Sequence, residues 1–257
     1  MNEFLLTCLI VCPLVFLATF VDAVAGGGGL ISIPAYMLAG VPTHMALGTN
    51  KVVNGIGTGF AAWKYFRGGR MNLLIAIPAA LGALVGASLG TKLALLIPAD
   101  LLQKLLLAIL PAVAIFLALR KDFGKDDKLK GKKLSRTRTV VYSTLVGLLI
   151  GGYDGLFGPG TGTFMIMAFT LLMGLDLLTA SGCAKVGNLA SNVASAIVYI
   201  FSGNVYWMLA LPAACCSTLG GVLGARFAMR GGAKRVRWMI FVVLGLLFVK
   251  IFWELLA

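Results

Sequence analysis

Asp22-Ala-Val-Ala-Gly-Gly-Gly-Gly29 and Asp154-Gly-Leu-Phe-Gly-Pro-Gly-Thr-Gly162 are the two stretches that decide the fold. In each of them an aspartate stands near the end of an apolar segment and a run of glycines follows. Glycine runs interrupt helices and leave backbone N–H groups without helical partners. Such a break is tolerated at membrane depth only where it is buried in protein or lines a cavity. The two stretches therefore predict two broken membrane helices, one in each half of the chain.

The composition around these stretches is that of a membrane protein. Charged residues are 12% of the 257 residues, about half the roughly 25% typical of soluble domains, and the mean hydropathy is +0.97. The five cysteines lie in apolar segments without a CxxC pair, and His44 is the single histidine. With a single histidine, the sequence gives almost no support for a histidine metal site or a Ser-His-Asp triad. We expect no cofactor, no metal and no enzymatic activity.

The apolar segments predict an all-α polytopic membrane protein with five helical segments in each half. Three of them are shorter than the roughly 20 residues that a span requires, and they are predicted to be half-helices or broken helices: 29–41, 139–153 and 160–174. The first half contains segments 4–24, 29–41, 44–66, 72–97 and 99–119, and the second contains 139–153, 160–174, 178–202, 205–228 and 236–256.

The basic residues predict the orientation of these segments. The net charge of +13 is concentrated in loops, which is the positive-inside pattern and not a nucleic-acid signature. Loop 66–72 is basic while its counterpart 201–205 is uncharged, and loop 226–237 is basic while its counterpart 96–100 is nearly neutral. This exchange is what inverted-topology repeats require.

An internal repeat is visible in the residues themselves. At an offset of 134, Lys51 matches Lys185 and Asn54 matches Asn188, and at an offset of 132 Asp22 matches Asp154. Residues 1–119 and 139–257 are therefore predicted to be two inverted membrane repeats, each with a broken or re-entrant first segment. Residues 120–138 carry nine basic and three acidic residues and are predicted to form a cytoplasmic linker.

The glycine breaks are the first candidate binding groups. A helix that starts at a break points its free N–H groups and its positive end into the break, which suits an anion. The alternative, a tight turn or close helix packing, remains open. The residues proposed from these breaks are Gly26, Gly27, Gly28, Gly29, Gly158, Gly160, Thr161 and Gly162.

Two lysines inside apolar segments are the second candidates. Lys51 and Lys185 lie away from the basic loops, and a charge at membrane depth faces a partner or a cavity. They either present a cation to an anionic substrate or are structural, snorkelling to an interface or pairing with Asp22 or Asp154. The polar residues proposed to accompany them are Thr49, Asn50, Asn54 and Asn188. Each aspartate could carry a coupling proton, pair internally, or cap a helix.

These motifs resemble the sulfite exporter TauE/SafE family of bacterial membrane transporters. The resemblance rests on Asp22 to Pro34, on Ala46-Leu-Gly-Thr-Asn-Lys51 and on Tyr153-Asp-Gly-Leu-Phe-Gly-Pro-Gly160, and it covers nearly the whole chain. The family pattern Ala-His-Ala-Lys is replaced here by Gly182-Cys-Ala-Lys185, so a histidine role does not carry over. The resemblance implies a bacterial inner-membrane protein that transports sulfur oxyanions, organosulfonates or related organic anions.

The sequence thus favours a secondary transporter of a small anion that works by alternating access. An anion channel and, less well supported, an intramembrane enzyme with a lysine nucleophile are the alternatives. The expected partners are the anion and membrane lipid but no nucleic acid, and a homo-oligomer is compatible with the sequence.

The loop charges predict that both termini lie outside the cytoplasm and that the 120–138 linker lies inside. A reporter that is active only in the cytoplasm should give no signal when fused to either end, and a signal when inserted in the linker. Cytoplasmic activity at one terminus alone would contradict the inverted repeat.

Overall fold

The computed structural model describes residues 3–119 and 134–256, and all the regular secondary structure in these residues is helical. The helices follow one another as α1 (Glu3–Ala25), α2 (Gly29–Leu38), α3 (Thr43–Arg67), α4 (Leu73–Leu96), α5 (Ala99–Leu119), α6 (Arg136–Leu156), α7 (Thr161–Met173), α8 (Leu177–Phe201) and α9 (Trp207–Leu256). The all-helical prediction is confirmed for the described part of the chain.

Four helices among the described residues are long and apolar enough to cross a membrane. They are Phe4–Ala25, Leu73–Leu96, Arg136–Leu156 and Trp207–Gly232. The helices that follow the glycine breaks are short, as predicted, with 10 residues in α2 and 13 in α7. Helices α3 and α8 have 25 residues each, so they are as long as a span but carry more polar side chains.

The prediction that segment 139–153 is too short to span is wrong. Helix α6 has 21 residues because Ser135 caps it, with its hydroxyl accepting a hydrogen bond from the Arg138 N–H, and the helix then includes the basic residues of the predicted linker end. At its other end the helix continues through Asp154, whose charge is paired. The first helix after the predicted linker thus begins at Arg136 and not at residue 139.

The prediction of a loop at 226–237 is also wrong. This region is helical, and segments 205–228 and 236–256 join as the two arms of α9. The arms meet at Gly232, whose φ of 60° and ψ of −158° lie outside the helical range. Glycine adopts a left-handed φ without steric cost, so the chain changes direction here within a single residue. Residues 120–133 of the predicted basic linker lie outside the described residues.

Close glycine contacts join α4 to α6 and α1 to α9. A Cβ atom on Gly86 would overlap the carbonyl oxygen of Leu148, and a Cβ on Gly220 would overlap that of Phe16. The sequence repeat maps one contact onto the other. Gly86 matches Gly220 at an offset of 134, and Phe16 matches Leu148 at an offset of 132. Small residues bring the helix backbones together, which is how membrane helices pack without a hydrophobic driving force between them.

Helices α3 and α8 lie antiparallel at the centre of the molecule. Gly48 near the start of α3 lies against Tyr199 near the end of α8, where a Cβ would stand 2.9 Å from the tyrosine Cβ. Gly182 near the start of α8 lies in the same way against Tyr65 near the end of α3, at 3.4 Å. Both tyrosines are fully buried. The middle segments of α3 and α8 therefore lie side by side.

The outward-facing side chains are apolar. Large hydrophobic residues are widely exposed on the spans, including Ile77, Leu81, Leu89, Leu149 and Leu211. Exposed apolar side chains on this scale would aggregate a water-soluble protein, and lipid is the solvent that suits them. The charged pairs lie instead between the helices, as described below.

Gly86 and Gly152 provide a matched test of the α4–α6 packing, because they face the same helix crossing. Gly86→Ala should lower the free energy of unfolding by about 1–3 kcal/mol through overpacking. Gly152→Ala should be nearly neutral, because its Cβ would meet only the Gly86 carbonyl group, at 3.7 Å from the oxygen and 4.0 Å from the carbon, which are ordinary contacts. Thermal unfolding of the protein purified in detergent measures both. Equal stability of the two variants would contradict the packing described here.

Candidate functional site

The two glycine breaks lie against one another in the middle of the molecule. The first, between α1 and α2, contains Gly26 with a φ of +84°, and the second, between α6 and α7, contains Gly158 and Gly160 at +94° and +81°. The backbone N–H of Thr163 donates to the Gly26 carbonyl at 3.2 Å, and the Thr163 hydroxyl donates to the Ala25 carbonyl at 2.8 Å. Left-handed φ values and the close backbone approach both explain why glycine is needed.

Each buried lysine pairs with the aspartate of the opposite half. Lys51 Nζ lies 2.6 Å from Asp154 Oδ2, and Lys185 Nζ lies 2.7 Å from Asp22 Oδ2. The lysines are 2% and 0% exposed. Unpaired charges in this environment would be destabilising by several kcal/mol. The two crossed pairs therefore tie the halves together through the site.

The lysines also bind the ends of the broken helices. Lys51 Nζ donates to the Asp154 carbonyl at 2.6 Å, and Lys185 Nζ donates to the Asp22 carbonyl. Both carbonyls lie in the last turn of a helix, α6 and α1 respectively. Because the C-terminal end of a helix carries partial negative charge, each ammonium group neutralises a carboxylate and a helix end together.

The aspartate carboxylates occupy the positions in which an anion would be expected. Asp154 accepts hydrogen bonds from the hydroxyl of Thr161, at 2.7 Å, and from that of Ser191. Asp22 accepts from the backbone N–H of Gly28 and the side-chain amide of Asn188, both at 3.4 Å. Gly28 and Thr161 lie at the starts of α2 and α7, whose positive ends favour negative charge.

A small polar cavity lies between the two ion pairs. Its volume is about 10 Å³, which is room for about one water molecule. Asn54 Oδ1 is buried in its wall without a hydrogen-bond partner among the described residues. The cavity is lined by Asp22, Gly26, Gly29, Asn50, Lys51, Asn54, Asp154, Gly158, Thr161, Gly162, Asn188 and Asn192.

Most of the residues proposed from the sequence meet at this cavity, but five of them do not line it. Gly27, Gly28 and Gly160 form the backbone of the breaks behind it, and Lys185 reaches Asp22 from outside the lining. Thr49 lies away from the cavity, and its hydroxyl accepts a hydrogen bond from the Tyr206 N–H at 2.9 Å. Thr49 thus holds the loop before α9 and does not face the cavity.

Asn192 and Ser191 are two further polar residues that the structure brings to the site, in the cavity lining and on Asp154 respectively. The Asn192 amide donates to Asn188 Oδ1 at 3.1 Å, and the Asn54 amide donates to Asn50 Oδ1 at 2.9 Å. Both asparagine pairs have i, i+4 spacing, which puts them on one helix face and is the signal that identifies them. Among the residues that the structure describes, no three His, Cys, Asp or Glu side chains cluster as metal ligands.

Several proteins named as membrane transporters are similar in sequence to this chain. A protein from Sinorhizobium sp, "Probable membrane transporter protein ORF9", is 40% identical over 89% of this chain and 85% of its own length. A "Probable membrane transporter protein" from Haemophilus influenzae is 34% identical over 93% of this chain and 92% of its own. "Probable membrane transporter protein YfcA" of Escherichia coli is 31% identical over 93% and 87%.

No solved structure matches the chain significantly. The family model described as "Sulfite exporter TauE/SafE" matches residues 11–251, nearly the whole chain. With this match and three relatives above 30% identity, the chain belongs to the sulfite exporter TauE/SafE family of membrane transporters.

Proposed function

We propose that this protein is a secondary transporter that carries a small anion across the bacterial inner membrane by alternating access. The site is the cavity between the two glycine breaks. The observation that carries the proposal is the meeting of two buried lysines and the starts of two short helices at this cavity, with Lys51 in its wall and Lys185 directly behind Asp22. These are the groups that compensate negative charge away from water.

Reciprocal contacts support two inverted repeats, 1–119 and 139–257. Lys51 with Asp154 and Lys185 with Asp22 are exchanged by the sequence offsets, as are the Gly48–Tyr199 and Gly182–Tyr65 contacts. A two-fold axis gives contacts in such reciprocal pairs, because it places each residue of a pair in the position of its equivalent. The equivalent helices α3 and α8 are antiparallel, as inverted repeats require. Inverted repeats around a central site are the usual basis of alternating access. Both termini then lie outside the cytoplasm.

The closed cavity supports a carrier over an open channel. A volume of about 10 Å³ cannot hold an oxyanion together with its counter-groups, so the helices must separate before substrate enters. The loops that follow α3 and α8 lie against the glycines at the helix starts, where a Cβ on Gly48 or Gly182 would overlap the carbonyl of Asn204 or Arg70. These two contacts, again exchanged by the repeat, are candidate gates on opposite sides.

The substrate class follows from chemistry and family together. Backbone N–H groups, asparagine amides and two ammonium groups offer many donors in a small volume, which suits a compact oxyanion. The family model is described as a sulfite exporter. We infer a sulfur oxyanion, an organosulfonate or a related organic anion as the substrate.

Replacement of either buried lysine should weaken anion binding. Lys51→Gln or Lys185→Gln should lower the affinity for thiosulfate by roughly tenfold to a hundredfold, since a hydrogen bond to a charged group contributes about 1.5–3 kcal/mol. Thermal shift of the purified protein with sulfite, thiosulfate, methanesulfonate and acetate measures the affinities.

Lys92→Gln is the matched control, because Lys92 lies on a membrane span but is exposed. It should bind as the parent does. If both buried-lysine variants fold and bind the anions like the parent, the lysines are structural and the proposed site is wrong.

Carrier and channel mechanisms predict different exchange behaviour. Proteoliposomes loaded with unlabelled substrate should transiently concentrate labelled substrate from outside, because a carrier returns loaded in exchange. A channel equilibrates the label without concentrating it. Absence of counterflow under conditions where net anion flux is measured would contradict alternating access.

A further inference from the structure

The charges of the site balance before any substrate is present. Two ammonium groups face two carboxylates, and each carboxylate lies at the start of a short helix where an anion would bind. Asp22 and Asp154 are therefore tethered competitors of the substrate. This inference rests on the proposed function, because it concerns what must happen when an anion enters the same cavity.

A substrate anion has to displace at least one carboxylate from its lysine. The displaced carboxylate would remain buried, since Asp22 and Asp154 are 7% and 3% exposed, and a buried charge that has lost its partner is strongly destabilising. A proton removes that charge. Protonation of the carboxylate leaves the lysine ammonium available, and the total charge of the site remains zero when a monovalent anion binds.

We propose that the transported anion moves together with a proton that is carried by Asp22. On the side where substrate enters, the Asp22 carboxylate takes a proton from water and releases Lys185, which pairs with the anion. On the other side the anion leaves, the carboxyl group returns its proton to water, and the carboxylate pairs with Lys185 again. One proton and one negative charge cross in the same direction, and no net charge moves.

The hydrogen bonds around the two carboxylates single out Asp22. Asp154 is held by two hydroxyl donors, Thr161 at 2.7 Å and Ser191, besides Lys51. Asp22 has only two long contacts at 3.4 Å besides Lys185. Hydrogen bonds to a carboxylate stabilise its ionised form. Protonation of Asp22 therefore gives up less hydrogen-bond stabilisation than protonation of Asp154. Asp22 is the carboxylate that can leave its lysine.

The surroundings of Asp22 contain few other groups that could take the proton. The charged and titratable groups that face it are Lys185 from α8, Lys51 and Tyr65 from α3, and Asp154 across the shared cavity. The Tyr65 hydroxyl already donates to the Ala23 carbonyl at 3.0 Å. Asn54 Oδ1, a buried acceptor without a partner in the described structure, lines the same cavity as Asp22.

The test measures proton uptake on anion binding. Methanesulfonate is the probe, because it remains a monovalent anion from about pH 5.5 to 8.5 and so contributes no titration of its own in the range where Asp and Glu are normally ionised. Calorimetry in buffers of different ionisation enthalpy should give about one proton taken up per anion. The affinity should rise by up to about tenfold for each pH unit lowered, which is the limit for one linked proton.

Three aspartate variants locate the proton. Asp22→Asn mimics the protonated carboxyl group, so its methanesulfonate affinity should not depend on pH and proton uptake should disappear. Asp154→Asn should retain the pH dependence. Asp176→Asn is the matched control, because Asp176 is exposed, caps α8 through the Leu178 and Thr179 N–H groups, and is replaced by an equally good cap.

The outcomes separate this inference from the proposed function. If the parent binds methanesulfonate without proton uptake and with the same affinity at every pH, proton coupling is wrong while the anion site stands. Loss of pH dependence in Asp154→Asn but not in Asp22→Asn overturns the assignment to Asp22. If neither methanesulfonate nor thiosulfate binds the parent at any pH, the proposed function fails and the coupling fails with it. The calorimetry on the parent does not require any variant to fold.

Discussion

Two lysine ammonium groups buried between membrane helices constrain the rest of this structure. Neither can remain without a counter-charge, and each finds its aspartate in the other half of the chain, 2.6 and 2.7 Å away. An ion pair formed within one half would stabilise that half alone. Crossed pairs require both halves to be folded and in contact before either charge is compensated, because a buried charge without its partner is strongly destabilising. Assembly of the two halves and neutralisation of the site are therefore the same event.

The glycines follow from this constraint. For a lysine on α3 to reach the end of α6, and one on α8 to reach the end of α1, the four helices and the two breaks must approach within backbone contact. A Cβ on Gly26 would overlap the backbone of Gly162 and Thr163, and a Cβ on Gly162 would stand 2.5 Å from the Gly26 Cα. The same residues leave helix ends open, so they both permit the close approach and supply the polar backbone groups of the cavity. Close packing and open backbone groups are alternatives in the sequence, and both are present in the structure.

The sequence is sufficient to predict the helical membrane class, the short helices after the breaks and most of the residues that meet at the cavity. Charged residues at membrane depth and glycine runs are both rare in apolar segments. Their presence therefore marks candidate site residues directly. The start of α6 differs from its prediction because Ser135 and the two arginines after it resemble a loop in sequence, whereas in the structure Ser135 caps the helix. The basic stretch on both sides of Gly232 resembles a loop because basic residues mark loops statistically, yet they are compatible with a helix. Which aspartate each lysine contacts depends on the packing of α3 and α8, which no local pattern contains.

The two halves differ at the positions that surround the carboxylates. Thr161 and Ser191, the hydroxyl donors to Asp154, correspond through the repeat offsets to Gly29 and Gly57, which have no side chain to offer Asp22. Gly57 lies instead against Ser217, where even a Cβ would overlap the serine hydroxyl. A duplicated scaffold with identical halves would have two equivalent carboxylates and no preferred order of release. Without these two donors, the Asp22 carboxylate is held by its lysine and by long contacts only, whereas Asp154 is held by three short contacts. In the proposed cycle this difference determines which ion pair opens to admit the anion and which continues to hold the halves together while it does so.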